Sequence, residues 1–231
     1  MTTKRHALCA TMAMMAIGAT PFIASADEDD HDHEGEHYDI AVWNDNGTLR
    51  TGGWDHDNES LEVQNLRVFE GMLGEDPTFP FSTDEPGVGG VAADLGLMVG
   101  DTFSLNIASG LGFWDGAGFT YGAQTMSAQW GGNTVNTATG GALDFLITED
   151  YDNHPFFTLE TETPGAYLME LTASMAGYGT SDVFYILFNS GLDEEAFEEA
   201  HEYVEDVLVP APGVLALLGL FGATARRRRQ G

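Results

Sequence analysis

The sequence predicts an all-β fold, an antiparallel β-sandwich or jelly roll forming a single domain, with one amphipathic α-helix near its C-terminal end. Three observations carry that expectation. Short runs rich in β-branched and aromatic residues recur along the chain, and 29 glycines with clustered Asp and Asn supply turns between them. The runs follow one another at sandwich-like spacing, without the helical segments that alternate with strands in βαβ units. An apolar fraction of 43%, with 14 Phe and 4 Trp, is too high for a disordered acidic chain and calls for a packed core.

The first strand is expected at residues 38–43, where Tyr38-Asp39-Ile40-Ala41-Val42-Trp43 alternates as a half-buried segment. Asn44-Asp45-Asn46-Gly47 then carries the Asn-Gly hairpin signal, and residues 48–51 return. Further strands are expected at 61–69, 102–107, 112–119, 125–130, 143–148, 156–161, 166–174 and 183–188. Residues 74–90, rich in Pro, Asp and Gly, read as one long loop. The helix is expected over 193–208. Asp193 is a good N-cap, Glu194 and Glu195 favour the positive end of the helix dipole, and Leu192 can staple against Phe197. Phe197, Ala200, Val204 and Val207 recur at helical spacing as its apolar stripe. The domain thus spans 38–190, with the helix at 191–208.

Both ends read as trafficking signals. Residues 1–26 combine a basic start (Lys4, Arg5), an apolar run and a small-x-small site, Ala24-Ser25-Ala26, directly before Asp27-Glu28-Asp29-Asp30. That is a secretory signal peptide, and it implies the Sec export machinery as a partner. The single cysteine, Cys9, falls in the segment to be removed, so the exported domain is expected to have no disulfide, thiolate nucleophile or Cys-ligated metal. At the other end, Pro210-Ala211-Pro212 precedes an apolar run of twelve residues, 214–225, and then Arg226, Arg227, Arg228 and Arg229. Twelve residues make ~18 Å of helix against a hydrocarbon core of ~30 Å, and the arginines favour a cytoplasmic end. The order of these parts over residues 209–231 resembles the PEP-CTERM sorting signal of exosortase-containing bacteria, with Pro-Ala-Pro where the motif has Pro-Glu-Pro. The resemblance implies a transient transmembrane anchor, an exosortase-type sorting enzyme as partner, processing near Pro210–Pro212, and delivery to the cell surface or the extracellular matrix. A plain tail-anchoring helix is the other reading of the same segment.

Charge narrows the function classes. Residues 27–209 hold all 37 acids and only two of the eight bases, Arg50 and Arg67, a net charge of −35 against −29 for the whole chain. Phosphate backbones are held by Lys and Arg clusters that are missing here, so nucleic acid is excluded as a partner. Anionic membrane surfaces are disfavoured for the same reason. Residues 27–37, seven acids and three histidines without one apolar residue, read as a flexible solvated tail. No nucleophile elbow, P-loop, dinucleotide fingerprint or His-Glu-x-x-His occurs, and no carboxylate pair stands out, so the protein is expected not to be an enzyme.

Metal binding is the chemistry the residues leave open. Six histidines follow the signal peptide: His31, His33, His37, His56, His154 and His201. His37 and Asp39 lie two apart at the start of a strand, and Asp152 and His154 share that spacing before another, so each pair points to one face. Pro155 favours an extended backbone at His154. If the two strand starts adjoin, His37, Asp39, Asp152 and His154 converge into a first shell for Zn²⁺, Cu²⁺ or Mn²⁺. The alternative is that His154 caps a strand and His37 belongs to the tail. Calcium fits less well. The stretch from Asp30 imitates the start of a calcium loop but has Ala41 where a bidentate Glu is needed, and Asp55, Asp57 and Glu59, or Asp150 and Asp152, would bind Ca²⁺ weakly.

Two segments, His37-Tyr38-Asp39 and His154-Pro155-Phe156-Phe157-Thr158-Leu159 with Thr163-Pro164-Gly165-Ala166-Tyr167-Leu168, resemble the choice-of-anchor M proteins of bacterial surfaces. There a His-x-Asp near the N-terminus and a His-x-His before an aromatic strand recur, so the resemblance places Asp152 where the first histidine of the second motif would stand. The expected function is that of an exported, surface-sorted, non-catalytic structural or interaction protein, with an extracytoplasmic divalent-metal-binding protein as the alternative. An exopolysaccharide-binding module is a further alternative through Trp43, Trp54, Trp114 and Trp130, although their strand-like settings favour core and sheet-face packing.

Overall fold

A computed structural model describes residues 38–209. The expected signal peptide with Ala24 and Ala26, the expected acidic tail with His37, and the expected sorting signal from Pro210 to Arg229 lie outside the described residues. The chain enters through β1 (Asp39–Asp45) and β2 (Thr48–Asp55), joined by Asn46 and Gly47, whose φ angles of 51° and 91° are those of a two-residue hairpin turn. That turn fixes the register, from Asp45 opposite Thr48 to Asp39 opposite Trp54. The strand expected over 61–69 is two, β3 (Ser60–Gln64) and β4 (Val68–Met72). Asn65, at φ 64°, breaks it and turns the chain from one sheet into another. The loop expected over 74–90 also contains structure, β5 (Ser82–Thr83) and the start of β6 (Val88–Val91).

The chain continues through β7 (Thr102–Ile107), β8 (Gly112–Trp114), β9 (Phe119–Tyr121), β10 (Met126–Trp130), β11 (Asn133–Asn136), β12 (Ala142–Leu146), β13 (Asp150–Asn153), β14 (Phe156–Leu159), β15 (Gly165–Met175) and β16 (Phe184–Ser190). The single strand expected over 112–119 is the hairpin β8–β9. Asp115 Oδ1 accepts the backbone N–H groups of Ala117 and Gly118 and so folds the turn.

Three sheets result, with strand orders β13-β6-β1-β2-β3, β11-β10-β14-β5 and β12-β7-β15-β16-β4, the last also carrying β8 and β9 beside β15. Pairing is antiparallel except at β1–β6 and β4–β16, which are parallel, so the sandwich is mixed rather than purely antiparallel. In both places the chain crosses over between the partners instead of turning back. One core cluster joins the inner faces of all three sheets, through Ile40, Val42 and Val88 of the first, Met126, Ala128 and Phe157 of the second, and Phe103, Leu171 and Phe188 of the third.

Strand β15 shows how the sequence builds these layers. Tyr167, Met169, Leu171 and Ala173 point into that core, while Ala166 and Leu168 point the other way into a second cluster. The second cluster is closed by the expected helix, α1 (Glu194–Tyr203), whose N-cap Asp193 accepts the Ala196 N–H. Phe197, Ala200 and Val204 bury into it, and Leu192 packs against the same cluster. The stripe then fails at Val207, which is 52% exposed. Residues Val204–Leu208 form a π-helical turn, and its wider winding takes Val207 off the apolar face while Leu208 and Val209 stay on it.

Candidate metal centre

The first sheet places β13, β6, β1 and β2 side by side, and four of its residues meet on one face at one end. Asp39 opens β1, and its register partner on β2 is Trp54. His56 lies two residues beyond Trp54 and so returns to the face that Asp39 occupies. On the other side β6 separates β1 from β13, with Asp152 opposite Gly89 and Asn153 opposite Val88. Two strand spacings of ~4.8 Å separate β13 from β1, and any side chain on β6 would stand between them. The positions facing the site are Gly87 and Gly89. A Cβ at Gly87 would lie 2.6 and 2.7 Å from the Asp39 carboxylate oxygens, and one at Gly89 would lie 2.9 Å from His56 Cε1 and Nε2. The glycines make a floor across which the carboxylates and imidazoles reach one another.

Asp39, Asp152 and His154 each offer one ligating atom, and the three atoms lie within 4.8 Å of one another. Asp39 is only 5% exposed. Its Oδ1 accepts the Gly87 N–H at 2.8 Å, and its Oδ2 faces His56 Nε2 at 2.5 Å. Asp152 Oδ1 lies 2.8 Å from His154 Nε2 and 3.7 Å from His56 Nε2. His154 Nδ1 sits 3.1 Å from the Asp84 carbonyl oxygen, which only accepts, so Nδ1 carries a hydrogen and Nε2 is the atom presented to a ligand or metal. Glu85 stands behind, 3.5 Å from His154 Nδ1, and its Oε2 also accepts the Gly87 N–H. The Glu85–Pro86 peptide is cis.

The electrostatics follow from this crowding. Burial pushes the Glu85 carboxyl up, and the neighbouring Asp39 charge adds to that, against opposing pulls from His154 and the Gly87 N–H. Burial pulls His154 down, but the Asp84 carbonyl and the charges of Asp39, Glu85 and Asp152 outweigh it and hold the imidazole above its ordinary value. A divalent cation would relieve the repulsion among three carboxylates while using lone pairs already aimed at a common point.

Of the four sequence-derived ligands, the structure brings together Asp39, Asp152 and His154, and His37 lies outside the described residues. His56, Glu85 and the two glycines went unread. The signal for His56 was present, because a two-residue turn at Asn46-Gly47 pairs 45 with 48 and therefore 39 with 54. The weak calcium candidates separate here. Asp55 is occupied in its own turn, accepting from the backbone of Asp57 and Asn58 and the Asn58 side chain. Trp54 is 1% exposed and is core, and Trp130 stacks on Phe145 with rings 5.8 Å apart. Trp114 packs against Phe119 and Tyr203 beside the helix, and Trp43 donates to the Thr51 carbonyl. His201 lies 3.5 Å from Glu70 on the helix-bearing face. Among the described residues no helix is long and apolar enough to cross a membrane. No protein-family model, curated protein or solved structure matches the chain.

Proposed function

We propose that this is an exported, surface-sorted, non-catalytic structural or interaction protein whose folded domain binds one divalent transition-metal ion through Asp39, Asp152 and His154. The observation that carries the metal reading is the convergence of three ligating atoms within 4.8 Å around a nearly buried carboxylate. A buried carboxylate is costly unless paired, and a fold already carrying −35 over residues 27–209 gains by neutralising it. One imidazole with two carboxylates suits Zn²⁺, Cu²⁺ or Mn²⁺, whereas Ca²⁺ asks for six to eight oxygens. Equilibrium dialysis with elemental analysis on residues 27–209 tests it. The expected result is one tightly held ion per chain, abolished by His154→Ala. Stoichiometric binding that survives His154→Ala would sink the reading.

The export and sorting half rests on the composition of the two ends, Ala24-Ser25-Ala26 before four acids and Pro210-Ala211-Pro212 before an apolar run and four arginines. Mass spectrometry of the mature protein in its own host tests it. The expected N-terminus is Asp27, with a C-terminus processed near Pro210–Pro212. A mature chain still ending at Gly231 would refute the sorting reading.

A further inference from the structure

His56 faces the centre without belonging to the three-residue set. Its Nε2 lies 2.5 Å from Asp39 Oδ2 and 3.7 Å from Asp152 Oδ1, so it already addresses two of the three ligating groups. Asp39 Oδ1 accepts the Gly87 N–H and Oδ2 faces His56, so Oδ2 is the oxygen that an ion shared with His56 would meet. Four ligands held at 2.0–2.2 Å around a tetrahedral ion are separated by about 3.3–3.6 Å. The distances of 2.5, 2.8 and 3.7 Å linking His56, Asp39, Asp152 and His154 bracket that range. An ion placed among them widens the two short separations by about 1 Å and narrows the long one slightly, and His56, which stands outside the set of atoms within 4.8 Å of one another, swings in toward His154.

The setting permits that adjustment. His56 sits in the turn between β2 and β3, its side chain is 41% exposed, and the absence of a Cβ at Gly89 leaves its ring room above β6. Asp39 is held rigidly beneath it, while Asp152 is more than half exposed on the far side. An ion arriving from solvent would meet Asp39, Asp152 and His154, with the exposed His56 ring placed to close over it. Two neutral imidazoles and two carboxylates bring two negative charges, matching a divalent ion. They also bring two nitrogens, which Zn²⁺ prefers more strongly than Mn²⁺ or Ca²⁺ does.

We propose that His56 is a fourth ligand, closing a two-imidazole, two-carboxylate tetrahedron that selects Zn²⁺ over Mn²⁺ and Ca²⁺. This rests on the three-residue site proposed above and adds to it the residue that sets its geometry and its choice of ion.

The test uses Co²⁺ as a spectroscopic stand-in for Zn²⁺ in the full chain, with Zn²⁺ and Mn²⁺ affinities measured by competition dialysis. His31, His33 and His37 are replaced by Ala in a parallel background to silence the N-terminal histidines. The full chain and that background are expected to bind one Co²⁺ with the intense visible absorption of a four-coordinate ion. His56→Ala should still bind Co²⁺, but with the pale spectrum of a six-coordinate ion, and should lose Zn²⁺ affinity by at least about tenfold. Its Mn²⁺ affinity should change much less. Because removing the imidazole also strips a partner from buried Asp39, His56→Gln serves as the second variant. Its amide still donates to Asp39 Oδ2, so folded stability in EDTA is retained while the four-coordinate spectrum is lost. An unchanged spectrum and unchanged Zn²⁺ to Mn²⁺ preference in both variants would overturn the role of His56 and leave the three-residue site standing. No binding in the silenced background would overturn both.

Discussion

Gly87 and Gly89 contribute to the centre by what they lack. A methyl group at Gly87 would press on the carboxylate of Asp39, which is nearly buried and cannot retreat. Gly87→Ala is therefore expected to destabilise the fold by about 1–3 kcal/mol, as overpacking does. It should also weaken metal binding by at least about tenfold, since the displaced group is a proposed ligand. Urea melts and dialysis on the same variant check both, and wild-type affinity would remove Asp39 from the ligand set. His154 gives a prediction of a different kind. Its imidazole is held above the ordinary value, so the folded chain binds that proton more tightly than the unfolded chain does. The stability this confers is fully present below about pH 6.5, the unfolded value, and is lost as pH rises through the folded one. In EDTA the urea midpoint should fall as the pH rises above about 6.5, and His154→Ala should flatten that slope. Glu85, also raised, acts with the same sign in a lower window, just above the ordinary carboxylate range.

Elements show where sequence is informative and where it is not. Strand β7 and the hairpin β1–β2 were legible because their cues are local, an alternating run and an Asn-Gly turn. Strand β6 was hidden inside an expected loop, because Val88-Gly89-Gly90-Val91 has the glycine content of a loop and earns its strand character only from β1 and β13 on either side. The centre divides the same way. The i, i+2 spacing of Asp152 and His154 is local and was legible, whereas their meeting with Asp39 depends on a parallel pairing that no local pattern announces. Helix α1 was expected in the right place with one residue too many in its stripe. Phe197→Ala should cost about 3 kcal/mol or more, because the ring is buried in the second cluster. Val207→Ala, on the exposed side of the π-turn, should stay within about 0.5 kcal/mol. Equal losses from the two variants in thermal melts would mean that the helix winds regularly to its end.

At the scale of the molecule, charge and connectivity act together. With −35 spread over residues 27–209, like-charge repulsion opposes the compact state, and salt relieves it. The melting temperature of the metal-free protein should rise between about 10 and 150 mM NaCl, as the screening length falls from ~30 to ~8 Å. A flat curve in EDTA would mean that the acids are too dispersed to repel. The parallel pairing of β4 with β16 sets a second constraint. Val68 meets Tyr185, a partner 117 positions later, and Asp39 meets Asp152 across 113 positions. Pairings of that range fold slowly, because the chain between them must close before they contribute anything. A polypeptide made from its N-terminus therefore carries open edges on β4 and β6 until β16 and β13 exist. During that interval the dense negative charge has a use it lacks in the finished fold: it keeps half-made chains apart, so that each unfilled edge waits for its own late partner rather than a neighbour's.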